Sequence, residues 1–261
     1  MENTISLLFN GMTSEYLKHK NAFMFWFVLS VPFIIVGITF MLLLGGTQAT
    51  DPSRWYIIFN YKPYFHIFTF LQILFIAHVN YLEHKNNTWK NIYVLPVPRW
   101  TIFFSKAIFS YVILALNVLL FFLLVMSGGH LLGKLRPDLG FQQGNYWLET
   151  LIPTLKFFFA STGVAAIMYF ISSYLKSILY SVIFGLIGYA SAFALFLHNS
   201  RRDYQGFPYS EYHPFTFPGY AFGSFGTGNH SLNMEKVYYG LACGFLVLTI
   251  HYFLNSKKNI L

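Results

Sequence analysis

Long apolar runs separated by short polar joints organise this chain. Ala22–Leu44 contains no charged residue, and Tyr64–Leu82, Ile102–Met126, Leu151–Leu175, Ile178–His198 and Val237–Leu254 follow it. A helix crosses a bilayer core of about 30 Å with roughly 20 mostly apolar residues, so each run predicts one span. Helices satisfy their own backbone inside lipid, which excludes irregular alternatives. The fourth and fifth runs are joined only by Lys176 and Ser177 and predict a tight helical hairpin. The expected fold is an all-α integral membrane protein with six transmembrane helices in one transmembrane domain over residues 1–261.

The polar joints add three further expectations. Before the first run, Ile5, Leu8, Phe9, Met12 and Tyr16 recur with helical spacing, which predicts an interfacial amphipathic helix over 4–20. A frayed N-terminus is the plainer alternative. Between the second and third runs lies YLEHKNNTWKNIYVLPVPRW. There Leu82, Trp89, Ile92 and Tyr93 share a helix face, and Pro96 and Pro98 stop the helix. Thr88–Leu95 thus reads as a short surface helix, with Arg99 and Trp100 anchored at the interface. Residues 199–236 are rich in Pro, Gly and aromatics. That composition disfavours long helices and fits either an ordered lid or a floppy loop.

Composition supports the membrane reading: 56% of the 261 residues are hydrophobic and 10% are charged. A soluble domain is about a quarter charged. The net charge of +8 would suggest nucleic acid in a soluble protein, but these basic residues flank apolar runs. Six spans put both termini on one side. That side holds nine Lys and Arg against seven opposite, with Lys156 and Lys106 near span ends, where long side chains can snorkel. The densest cluster follows the second run, so both termini are expected in the cytoplasm and 199–236 outside.

Candidate chemistry is sparse. Gly128–Leu135 approaches a phosphate loop but ends in Leu where a hydroxyl is required, and an apolar run rather than a strand precedes it. It reads as the end of the third span plus a loop. His66 and His78 are twelve residues apart, about 120° around a helix, and so do not share a face. His78 and His251 could ligate haem in a membrane redox protein, the principal alternative function. Interfacial histidines are the simpler reading. Gln72 and Asn117 are polar residues within spans, suited to helix–helix hydrogen bonds or to a pathway. No catalytic or metal-ligating motif is apparent.

The order Glu83, Thr88-Trp89-Lys90, Leu95-Pro96-Val97-x-Arg99 and then Lys106 resembles the membrane subunits of type-2 ABC exporters. That permease family includes drug and antimicrobial-peptide transporters and lantibiotic self-immunity complexes. Ser14-Glu15-Tyr16-Leu17-Lys18 and Pro32 resemble the same family's entry to its first span. The resemblance implies that 83–100 couples to a separate cytoplasmic ATP-binding subunit, with Glu83, Lys85, Thr88, Trp89, Lys90, Pro96 and Arg99 at the contact. Glu15 and Lys18 would belong to the interfacial helix. It also implies a second permease, identical or related, and no cofactor on this chain, since the partner subunit binds ATP. The expected role is a non-enzymatic conduit in the cell membrane that exports a hydrophobic or amphipathic molecule, such as an antimicrobial peptide or a drug. A scaffold that recruits a partner without transport is the remaining alternative. The longest stretch between runs, 199–236, is itself too short for an ATPase domain.

Overall fold

A computed structural model describes residues 4–45, 63–85, 98–137, 147–199, 206–223 and 230–256. Among these, eight α-helices and two 3-10 turns account for nearly all the backbone. The helices are α1 (Thr4–His19), α2 (Phe23–Gly45), α3 (Pro63–Lys85), α4 (Arg99–Leu135), α5 (Trp147–Tyr174), α6 (Ile178–Asn199), α7 (Phe217–Phe222) and α8 (His230–Ser256).

Among the described residues, five stretches are long and apolar enough to cross a membrane: Phe23–Gly45, Arg99–Leu135, Thr150–Tyr174, Ile178–Asn199 and Met234–Asn255. Helix α3, expected as the second span, has 23 residues, long enough by rise per residue. It is more polar than the others because it carries His66, Thr69, Gln72, His78 and Asn80. Thr69, Gln72 and Asn80 are buried against neighbouring helices. The exposed positions of α2, including Phe33, Ile38 and Leu42, are apolar, as a lipid-facing surface requires.

Helix α5 lies between α3 and α8, and α7 wedges between α5 and α8. Helices α1 and α2 pack on α4. The core combines Phe25 and Val28 of α2, Ile73, Phe75 and Ile76 of α3, Phe103 and Phe121 of α4, and Val164 and Met168 of α5.

Two expectations need correction. Helix α4 does not give way to a loop after Met126: it runs 37 residues to Leu135, about 55 Å at roughly 1.5 Å per residue. Buried Val125, Gly129, Leu132 and Gly133 continue its inner face through the glycine-rich stretch, so Gly128–Leu135 has helical backbone and no phosphate-loop geometry. Arg136 then donates from Nη1 to Leu44 O at 2.7 Å, tying the far end of α4 to the C-terminus of α2. The segment expected as a long outer loop over 199–236 is also shorter, because α8 already begins at His230. Within it, residues 206–223 are folded, with Ser210, Phe215, Thr216, Phe217, Tyr220 and Phe222 buried. This matches the ordered form of the two alternatives.

Candidate coupling site at the helix ends

The site begins with residue spacing on α1. Glu15 and Lys18 stand three apart on one helix face, and Lys18 Nζ donates to Glu15 Oε1 at 2.5 Å. Helix α1 reaches α4 closely because residue 11 is glycine: a Cβ there would lie 2.6 Å from Ser105 Oγ. This contact sets α1 beside the start of α4 and the end of α3. Lys18 Nζ also donates to Glu83 Oε1 at 3.2 Å, and Lys106 of α4 pairs with Glu83 Oε2. Two carboxylates and two ammoniums therefore balance, as burial of charge demands. Glu83 and Lys106 are 2% exposed, whereas the Lys18 side chain is one-third exposed.

Lys106 was expected to snorkel toward headgroups, and the structure corrects this. The buried carboxylate of Glu83 on α3 gives its ammonium an opposite charge to pair with. The pairing also decides the charge state of Glu83. Burial pushes its carboxyl up, but Lys106 and Lys18 together outweigh this and hold it below the usual 4.5. Burial likewise pushes Lys18 down, and Glu15 and Glu83 more than reverse it, leaving the lysine above 10.5.

His19 completes the cluster, and sequence reasoning missed it. It is fully buried, and its Nδ1–H donates to Glu15 O at 2.8 Å. The ring meets Phe109 at 5.1 Å and His78 of α3 at 6.1 Å. Burial holds it below its ordinary 6.5, so it is neutral at pH 7. The sequence offers one signal for it, a helix that places His19 four residues after Glu15.

These contacts clamp both roots of the connection between α3 and α4. Glu83 stands at the departing end and Lys106 two turns into α4. Lys85 and Arg99, at the rims, are exposed. Thr88, Trp89, Lys90 and Pro96, and with them the expected surface helix, lie outside the described residues. The described residues of the expected coupling motif therefore divide: Glu83 is buried among α1 and α4, and Lys85 and Arg99 are exposed.

The other candidates are interior ties. Gln72 donates to Ser161 O at 3.1 Å, joining α3 to α5, and Asn117 donates to Val28 O, joining α4 to α2. Asn80, unremarked in the sequence, donates to Ser172 Oγ at 2.6 Å. His78 and His251 occupy different settings. His78 packs on His19, whereas His251 Nε2 lies 2.8 Å from Ser173 Oγ, ringed by Phe103, Tyr169, Phe170 and Tyr174. Among the described residues, no group of three or more His, Cys, Asp or Glu is arranged to hold a metal ion.

Comparison with known proteins adds one match. The family model described as "ABC-2 family transporter protein" matches residues 12–188, more than half of the chain. This range contains Glu15, Lys18, Glu83 and Lys106. No curated protein and no solved structure matches the chain.

Proposed function

Because the chain belongs to the ABC-2 family of transporter proteins, an integral-membrane permease family that works with an ATP-binding subunit, we propose how this member does so. It is the six-span permease subunit of an ATP-driven exporter in the cell membrane, with both termini cytoplasmic. It moves a hydrophobic or amphipathic molecule outward, for instance an antimicrobial peptide or a drug. Helix α3 counts as the sixth span: its polar residues turn toward neighbouring helices, which is where lipid-buried polar groups belong.

The observation that carries the mechanism is the ion cluster Glu15–Lys18–Glu83–Lys106. It fastens α1, the end of α3 and the start of α4 into one unit at the roots of residues 86–97. A separate ATP-binding subunit grips that connection, with Trp89, Lys90, Lys85 and Arg99 as contacts. Motion of the ATPase then moves three helices together as a rigid body, because the ion cluster ties them to one another. The chain supplies leverage and a pathway, and ATP hydrolysis belongs to the partner. A second permease, identical or related, forms the other wall of the pathway.

Affinity purification of the full chain from its native membranes tests this. An ATP-binding protein should co-purify, and its ATPase rate should change on reconstitution with the permease. Isolation of the chain without such a protein, together with ATPase activity indifferent to its presence, would refute the proposal.

A further inference from the structure

The folded segment at the opposite end of the bundle carries a histidine whose protonation state its contacts dictate. His213 precedes the 3-10 turn Pro214–Thr216, and the backbone N–H of Phe215 donates to His213 Nδ1 at 3.3 Å. An N–H can only be accepted by a ring nitrogen without a proton. Nδ1 is therefore bare, and the neutral ring carries its proton on Nε2. That atom lies 3.2 Å from Ser191 Oγ of α6, whose hydroxyl is already donated to Gly188 O at 2.8 Å. Ser191 thus accepts from His213, and one imidazole both caps the turn and ties it to α6.

The neighbouring contacts make this tie a closure. Phe215 seats on Gly188: a Cβ there would lie 2.8 Å from the Phe215 ring, and the ring would have to shift. Phe222, at the end of α7, packs its ring 5.9 Å from Phe157 and helps line a small apolar cavity with Phe68, Val118, Phe121 and Thr154. Asn199 of α6 bonds Ser210 at 2.9 Å, and Ser210 Oγ lies 2.8 Å from Tyr220 Oη.

We infer that His213 is an acid-operated catch, which holds residues 206–223 closed over α6 at neutral pH and releases them when protonated. A proton on Nδ1 would face the Phe215 N–H, donor against donor, and would place a charge at a half-buried site. Among the described residues, the other titratable groups here are engaged elsewhere. Glu211 Oε2 pairs with Lys236 Nζ at 3.4 Å, and Glu235 lies 3.9 Å from the same ammonium. Lys236 also sits 5.0 Å over the rings of Tyr212 and Tyr239. Tyr189 of α6 bonds His66 of α3, Tyr220 bonds Ser210, and His198 of α6 is exposed. Neither these groups nor Lys156 of α5 acts on His213; burial alone holds it below 6.5. The closed form therefore binds fewer protons than the open form. Acid favours opening once the pH falls below the open-state value near 6.5, by up to about tenfold per pH unit until the closed-state value is reached. Placement of this catch on the outer face rests on the proposed topology; the catch itself does not.

Thiol labelling of the full-length chain in nanodiscs, with both bilayer faces open to reagent, tests the catch. In a Cys243→Ala background, Ala221→Cys reports a buried position of α7 and Tyr209→Cys an exposed reference. The ratio of their labelling rates should be flat above pH 7 and rise severalfold or more between pH 6.5 and 5. His213→Asn retains a capping acceptor without a titrating ring and should keep the ratio flat. Ser191→Ala removes only the Nε2 partner and should raise labelling of residue 221 severalfold at pH 7.5. A flat ratio in the parent, an unchanged acid rise in His213→Asn, or unchanged labelling in Ser191→Ala would each overturn the inference. Labelling of Tyr209→Cys on intact cells with an impermeant reagent separately reads the topology, so the two failures are distinguishable.

Discussion

Replacing Lys106 by Met removes one charge from the buried cluster while keeping an unbranched side chain of similar reach. Glu15 and Glu83 then face Lys18 alone, and Glu83, 2% exposed, loses its buried partner. Breaking a buried pair from one side typically costs about 3–5 kcal/mol. Lys18 remains 3.2 Å from Glu83 and is partly solvated, which places the expectation near the lower end, about 3 kcal/mol. Reversible unfolding in mixed micelles, followed by tryptophan fluorescence against added SDS, measures it. The double variant Glu83→Gln/Lys106→Met leaves Glu15 and Lys18 as a balanced pair and should fall within about 1 kcal/mol of the parent. The two substitutions should thus couple by about 2 kcal/mol or more. If the double variant instead loses the sum of the single losses, the four residues are not an energetic unit, and the clamp argument fails.

Three further outcomes follow from the same geometry. The carboxyl of Glu83 is depressed below 4.5 and Lys18 is raised above 10.5, so the cluster's stabilisation should be level between those values. It should fade as pH falls through the folded value of Glu83 or rises through that of Lys18, and Glu83→Gln should remove most of the acid limb of SDS-unfolding midpoints plotted against pH. Gly11→Val should force α1 away from Ser105 at a cost of about 1–3 kcal/mol in the same unfolding assay, and it should weaken protection of α1 from proteolysis. Trp89→Ala with Arg99→Ala should leave the unfolding midpoint within about 0.5 kcal/mol of the parent yet lower permease-dependent ATPase stimulation at least tenfold; retained stimulation would remove these residues from the contact.

The helical architecture was legible because apolar length is a local property. Phe23–Gly45 and Ile178–Asn199 fall within a residue or two of the runs read from sequence. The extension of α4 to Leu135 was not legible. Its glycines and His130 break the apolar run, and the burial of Gly129, Leu132 and Gly133 that continues the helix's inner face is a tertiary property. Similarly, the order of Glu83, Arg99 and Lys106 along the chain carries no sign of the direction each side chain takes. Lys106 stands near a span end, where a lysine can snorkel, yet its side chain is buried. Its inward turn depends on Glu83, 23 positions earlier, and on the approach of α1 permitted by Gly11. Composition left residues 206–223 undecided, because their packing partners Ser191, Gly188 and Lys236 lie on other helices.

Site-specific photo-crosslinking at residue 89 tests the central claim most directly. The chain, carrying a photoreactive amino acid in place of Trp89, would be irradiated in native membranes and its adducts identified by mass spectrometry. The account predicts capture of an ATP-binding subunit from this position and none from the same probe at Tyr209 in the segment at the opposite end. Capture of such a subunit at Tyr209, or none at 89 in a chain that co-purifies with its ATPase, would contradict it.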